Sequence, residues 1–558
     1  MAVASTFPRV RSSKRWKRGM VAHAFDYNLD RVHVLGSDVD GHTGRVCVNA
    51  LSWADDGNLL LSGGDDTTVR LWRMDTSSSE RYPFVCQSVI NTGHTANIFG
   101  AQMLPYSTKI ATVAGDRQVR VFDAMAAASI SSSGPEASYN AGDCSLRVLR
   151  CHSRPTKRIV TEDSPDLFLT VAEDGTVRQH DLRAPPHACR RGCPPPLVKL
   201  PIDLSTLARS PLTPYQFVVA GESPYGYLFD RRQIGRFLKE EWGMPMSNDF
   251  TTCVRRFGRE RRGSGERSRY VHITGARMPS SNGHEVMSPT SDAVYLFSTR
   301  DDIEDSSGRS SGTGSGILAP NSVQDRLDAS DTSSAGLFSR TGTRRSFSVN
   351  VEMQLDGDDG YDSNAEDWQT ISGGVDTDAD NVSEGSSLLS AERTEEAEED
   401  LPTGFDTDNS VPIIYPRRRF SGARNVETIK DVNFLGPSDE FIVSGSDDGN
   451  WFMWRKETGA LCGIYEGDDQ VVNVVEGHPH LPLVAVSGID TTVKLFAPTA
   501  GPSAASKTER AESIMTRNRE TPAQSPADLA SLFFWASRLR NYAGEEQGGN
   551  SEPQCTFQ

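Results

Sequence analysis

No run of 18 apolar residues occurs in the 558-residue chain, so no helix that spans a bilayer is expected and no membrane partner is read from it. The stretch with Arg9, Arg11, Lys14, Arg15, Lys17 and Arg18 lacks an apolar core, so it does not read as a secretory leader. Nine cysteines are scattered without a framework, as expected in a reducing compartment. His187, Cys189 and Cys193 are poorly spaced for zinc and lack a fourth ligand, so neither metal nor cofactor is expected. There is no Gly-rich phosphate loop, no His-Glu-x-x-His and no G-x-S-x-G, and catalysis is therefore not expected.

What is present is a repeat. LLSGGDDTTVRLWR (60–73), IATVAGDRQVRVFD (110–123), VAEDGTVRQHDLR (171–183) and FIVSGSDDGNWFMWR (441–455) share one order: an apolar strand, a small-residue turn with Asp, and a second strand. The second strand ends near Trp72, Phe122, His180, Phe229, Phe297, Trp454 and Phe496, with His180 the one exception to Trp or Phe. Asp66, Asp116, Asp174, Ser223, Ser291, Asp448 and Asp490 lie six residues earlier, and Ser62, Thr112, Thr170 and Ser444 mark the tenth residue before four of the anchors. His42, His94 and His152 precede the first three copies, and His, Ser/Thr, Asp and Trp at these positions can close a buried polar chain. These residues are read as structural, including Asp448, Trp454 and Asp490. The pattern resembles WD40 repeats, which implies an all-β propeller; seven anchors imply seven blades.

Anchor spacings of 50, 58, 49, 68, 157 and 42 residues leave one gap too long for a blade. Residues 304–423 carry 24 acidic and 9 basic side chains, a net of −15, against −17 for the whole chain. With so few aliphatics, this segment cannot bury enough surface to offset its ordering entropy and is expected to be a disordered acidic insertion. The expected organisation is a basic tail over 1–30 with helix as one option, blades 1–5 over 31–303, the insertion, blades 6–7 over 424–500, and a tail over 501–558 with a helix near 526–542. That helix is suggested by Ser525-Pro526-Ala527-Asp528 followed by Leu529, Leu532, Phe533, Ala536 and Leu539 on one face. Arg31–Leu35, RVHVL, suits a strand that closes the ring.

Longer strings narrow the resemblance. GHTANIFGAQMLP (93–105), AEDGTVRQHDLR (172–183), YLFDRRQIG (227–235), VNFLGPSDEFIVSGSDDGNWFMW (432–454) and GHPHLPLVAVSGIDTTVKLFAP (477–498) are similar to the cullin-4-associated WD40 substrate receptors. The branch resembled is that of the nuclear-receptor-interaction protein, with a large insertion in the propeller; its IQ motif is not found here. The resemblance implies a non-catalytic substrate receptor of a cullin-4 RING ubiquitin ligase. It implies docking on the damaged-DNA-binding adaptor and presentation of an unidentified protein substrate. The family's docking box, Trp-Asp-x-Arg in consecutive blades, falls on His180-Asp181-Leu182-Arg183 and Phe229-Asp230-Arg231-Arg232. Asp181, Arg183, Asp230 and Arg232 are thus the implied adaptor-binding residues, although Trp is replaced in both boxes. A WD40 scaffold outside the ligase system is the alternative.

Lys14–Arg31 also fits the element that related receptors insert into the adaptor, and equally a plain tail. The basic cluster fits a nuclear localisation signal, a nucleic-acid arm or a solvated tail, so nucleus and cytoplasm are the expected compartments. Arg417-Arg418-Arg419-Phe420-Ser421 is an arginine-directed kinase pattern, with Ser421 as candidate phosphosite; alternatively these arginines neutralise the acidic run.

Overall fold

Short strands rich in Val, Ile, Leu and aromatics, separated by Asp/Gly turns, assemble here into sheets arranged as a propeller. The computed structural model describes residues 14–520 apart from 38–40, 43–46, 76, 80, 125–136, 186–192, 194, 234–252, 260–271, 280–284, 291–292, 302–410 and 427. Six sheets have four or five strands, and a seventh has three. The expectation of seven full blades is therefore corrected to six, with an incomplete sheet at the fifth position.

Blade 1 shows the plan: Val48–Ala54, Leu59–Gly64, Thr68–Met74 and Phe84–Asn91, counted from the inside outward. Its second strand is buried at all six positions, as a strand covered on both faces requires. Between the second and third strands, the residue after the turn Asp adopts a left-handed backbone in four blades: Thr67 (φ 59°), Arg117 (66°), Gly175 (71°) and Gly449 (78°). At Gly175 a Cβ would meet the Leu200 carbonyl oxygen at 2.0 Å, so glycine is required there.

The fifth sheet contains Glu285–Thr290, Ala293–Ser298 and Arg418–Phe420. Residues 272–279 form no paired strand and lie against blade 4, where Ile273 donates its N–H to Gly221 O and Ala276 to Thr206 Oγ1. The strands Ile413–Ile414 and Arg418–Phe420 lie inside the range expected to be insertion, so that range must end earlier. Ile413–Ile414 pairs in parallel with Cys253–Phe257, the outer strand of blade 4. Arginines fix this region: Arg417 pairs with Asp301, Arg255 donates to Asp301 O and Arg256 to Val411 O. The remainder of the expected insertion, 304–410, lies outside the described residues.

The ring closes through Leu29–Leu35, which runs antiparallel to Val493–Pro498 on the outside of blade 7. Asp30 anchors the closure by accepting bonds from Ala505 N and Ser503 Oγ, both 3.1 Å. Lys14–Ala24 is helical, and Phe25 behind it is buried against Phe441. At the other end a helix lies at Ala511–Glu520, and the helix expected near 526–542 falls outside the described residues. No described helix is long and apolar enough to cross a membrane.

Candidate functional site

All seven anchors are buried, and each lies one or two residues before the end of its strand. In blade 1, Trp72 Nε1–H donates to Ser62 Oγ (2.9 Å), Ser62 O–H to His42 Nε2 (3.0 Å), and His42 Nδ1–H to Asp66 (2.9 Å). This is the assignment in which every proton has one acceptor. Blade 2 keeps His94 with Thr112 (2.8 Å) and Asp116 (2.9 Å), and ends at Phe122. In blade 3, His152 joins Thr170 (2.8 Å) and Asp174 (3.1 Å), and His180 Nε2 lies 2.7 Å from Thr170 Oγ1. The imidazole N–H of His180 thus does what the indole N–H of Trp72 does. Replacing Ser62 with alanine should strand both His42 Nε2 and the Trp72 indole; a loss of about 1–3 kcal/mol in urea unfolding is expected.

Asp448, Trp454 and Asp490 do not belong to such chains, a correction of the sequence reading. Their blades lack the histidine. Asp448 takes Asn518 Nδ2 at 3.1 Å and Arg517 at 3.5 Å, both from the C-terminal helix. Trp454 stacks on Phe452, with centroids 5.5 Å apart. Asp490 pairs with Lys494, whose ammonium also reaches Asp468 at 3.3 Å.

A second polar tier was not read from the sequence. Its members are the first acids of the doublets Asp65-Asp66, Glu173-Asp174 and Asp447-Asp448. Asp65 accepts from Asn49 Nδ2 (2.5 Å), Glu173 pairs with Lys157 (2.9 Å), and Asp447 pairs with Lys430 (2.6 Å). Burial pushes the Asp65 carboxyl up to about 6 despite the bonds from Asn49 and Cys47. Charges also meet between different blades: Arg158 and Arg277 contact Asp431 at 3.1 and 2.7 Å, and Arg277 also pairs with Glu476. Each of these charges has an opposite partner. Among the described residues, no group of three His, Cys, Asp or Glu is placed to hold a metal; His187 and Cys189 lie outside them.

The two Asp-x-Arg boxes share one geometry. Asp181 and Asp230 are the last residues of third strands in adjacent blades, Thr176–Asp181 and Gly226–Asp230. Third strands run in the same direction through successive blades, so Arg183 and Arg232 come out on one rim. Arg183 forks onto Asp181 through Nε (2.9 Å) and a terminal nitrogen (2.8 Å); Arg232 does so onto Asp230 at 3.0 and 2.7 Å. Those hydrogen bonds hold both carboxyls below the ordinary carboxylate range. The arginine side chains remain 64% and 62% exposed, so the forks aim the guanidinium groups without hiding them.

Four supporting residues escaped the sequence reading. Tyr215 lies under Arg232, its centroid 3.6 Å from the guanidinium carbon. Arg231 pairs with Glu162 of blade 3 at 2.9 Å, tying the two boxes' blades together. Arg147, from the outer strand of blade 2, donates to Leu182 O and Ala184 O at 3.3 Å, on both sides of Arg183. None has a local sequence signal, because each contact crosses between turns or blades. Turns after first strands reach the same rim, where Tyr106 and Leu212 are 83% and 58% exposed.

Comparison with known proteins agrees with the repeat. The model of the WD domain, G-beta repeat, matches residues 32–73 and 416–455. WD repeat protein iqw1 of Schizosaccharomyces pombe is 35% identical over 48% of this chain and 32% of its own length. Protein ALTERED SEED GERMINATION 2 of Arabidopsis thaliana is 25% identical, spanning 93% of this chain and 94% of that protein. DDB1- and CUL4-associated factor 6 of Homo sapiens is 28% identical over 48% of this chain and 28% of its own length. The chain therefore spans about a third of the fission yeast protein and less of the human one, but nearly all of the plant protein.

Proposed function

This chain belongs to the WD40-repeat family, and from that premise we propose that it is a substrate receptor of a cullin-4 RING ubiquitin ligase, without catalysis of its own. The observation that carries the reading is the pair of exposed, carboxylate-aimed arginines, Arg183 and Arg232, on one rim of adjacent blades. A forked guanidinium held in one orientation loses little freedom when it meets an acidic partner, and it makes two charge-assisted bonds at once. The partner proposed is the ligase's damaged-DNA-binding adaptor, with Tyr106 and Leu212 giving apolar contact on the same rim. The name of the human relative says that it is associated with DDB1 and CUL4. The substrate would be a protein held by other loops, and the compartments nucleus and cytoplasm.

A WD40 scaffold outside the ligase system is the second reading. It is favoured by the same forks, because each guanidinium already has a carboxylate and does not require an outside partner.

Capture of the adaptor separates the two. The chain should retain purified adaptor in a pull-down, and Arg183→Ala/Arg232→Ala should lower retention at least about tenfold with an unchanged thermal midpoint. Arg232→Ala alone should have the larger single effect, since Tyr215 pre-sets its position. Full retention by the double variant would leave the scaffold reading.

A further inference from the structure

We propose that Ser421 is a phosphorylation site for an arginine-directed serine kinase, and that its phosphate fastens the C-terminal helix Ala511–Glu520 against blade 6. This inference is independent of the ligase reading.

Ser421 is exposed and directly follows Arg418–Phe420, the outer edge of a three-strand sheet. That strand pairs with its neighbour at only two positions, Val294 with Phe420 and Leu296 with Arg418. An edge strand offers extended backbone on its open side, the form in which a kinase cleft takes its substrate. Arg418 and Arg419 stand three and two residues ahead of the hydroxyl. Arg419 is exposed, and the bond from Arg418 to Thr458 O is at the surface. Arg417, by contrast, is committed to Asp301, so the readable motif is Arg-Arg-Phe-Ser and not the full triplet.

The residue after Ser421 is where the C-terminal helix is held. Gly422 has φ 119°, and a Cβ there would meet Met515 Sδ at 2.7 Å. The Gly422 carbonyl accepts from Asn518 Nδ2 at 2.9 Å, and the same amide nitrogen lies 3.1 Å from Asp448. Ile514 is buried beneath this contact. The helix's last turn carries Arg517 and Arg519, and Arg517 is 63% exposed while it pairs with Asp448.

In the modification, Ser421 Oγ forms a bond to the γ-phosphorus of ATP, and the bond from that phosphorus to the bridging oxygen breaks. ADP leaves, and the hydroxyl proton passes to the kinase's carboxylate. The product adds about −1.5 to −2 charge next to a helix end that carries two arginines. Phosphate oxygens accept forked guanidinium bonds from Arg419, Arg517 and Arg519, which adds charge-assisted contacts to the Asn518 and Arg517 contacts that hold the helix.

The test uses the full chain, an arginine-directed serine kinase of the cyclic-AMP-dependent type, and Mg-ATP. Peptide mapping should place phosphate on Ser421 of the folded protein, and Ser421→Ala should not accept it. Hydrogen exchange of residues 511–520 should slow by about tenfold on phosphorylation. Arg517→Ala/Arg519→Ala should accept phosphate but show no slowing. Phosphate that reaches Ser421 only after denaturation would overturn the site, and faster exchange in 511–520 would overturn the fastening.

Discussion

Replacing Lys430 with methionine is expected to lower folding stability by about 3–5 kcal/mol, among the largest effects of any single exchange in this propeller. The side chains of Lys430 and Asp447 are both 0% exposed, and their charged atoms lie 2.6 Å apart. Lys430 also donates to Thr428 O at 2.9 Å and to Asn473 Oδ1 at 3.3 Å, which ties blade 6 to blade 7. Asp447 in turn accepts the N–H of Val426 at 2.7 Å. Methionine fills nearly the same volume, so little cavity is created. What it leaves behind is a buried carboxylate with its counter-charge gone, and that is the costly state. Lys430→Met/Asp447→Leu removes both charges and should recover most of the loss. Urea unfolding of the two single variants and the double variant gives the coupling as a double-mutant cycle. A loss below about 1 kcal/mol for Lys430→Met would mean that water reaches Asp447 and that the seam is not dry.

The same pair shows what could and could not be read from the chain. The propeller was legible because anchors such as Trp72, Phe122 and Trp454 recur on third strands, and each must fill one buried space between sheets. The His42–Ser62–Trp72 chain was legible because its members keep fixed offsets set by strand pairing within one blade. Lys430 carried no such offset. It lies ahead of its inner strand, whereas Asn49 of blade 1 and Lys157 of blade 3, which serve the same tier, lie within theirs, so the tier is mixed in both chemistry and position. Only the doublets Asp65-Asp66, Glu173-Asp174 and Asp447-Asp448 hinted that two acids per turn have two different tasks. The count of full blades failed at the fifth sheet for a related reason. Phe297 has the anchor's spacing, but residues 272–279 do not pair as an inner strand, and no aromatic offset reports on that. Likewise Arg417, Arg418 and Arg419 read together as kinase determinants, although Arg417 is fixed by Asp301, which is more than a hundred residues away. The site residues that were legible, Arg183 and Arg232, are those whose partner lies two residues away. Arg147, Glu162 and Tyr215 depend on neighbouring turns or blades and were invisible.

His180 should make the stability of this protein sensitive to mild acid, and His180→Phe should remove much of that sensitivity. Burial, with help from the nearby His152 and Arg178, pushes the His180 imidazole down to about 3. The unfolded chain takes its proton near 6.5. The folded-state value is therefore depressed, and between those two values the unfolded state binds the extra proton. Stability is fully present above about pH 6.5 and falls as the pH drops toward 3. Each unit in that window is worth about 1.4 kcal/mol, so roughly 2 kcal/mol should be lost from this residue between pH 6.5 and pH 5. Phenylalanine is a substitution the protein already uses. At the equivalent place in blade 2, Phe122 is fully buried beside Thr112, which still bonds His94 at 2.8 Å. In His180→Phe, Thr170 keeps His152 as its partner, so the change at pH 7.5 should stay within about 1 kcal/mol. At pH 5 the order should reverse, with the variant more stable than the parent. His152, whose burial also lowers it, and Asp174, which its His152 bond holds down against burial, titrate in both proteins and set a shared slope. The difference between variant and parent thus isolates His180. Urea midpoints for both proteins at pH 7.5, 6.5 and 5 measure it. Parallel lines across that range would show that His180 gains its proton in the folded state, and the dry indole-like role assigned to it would fall.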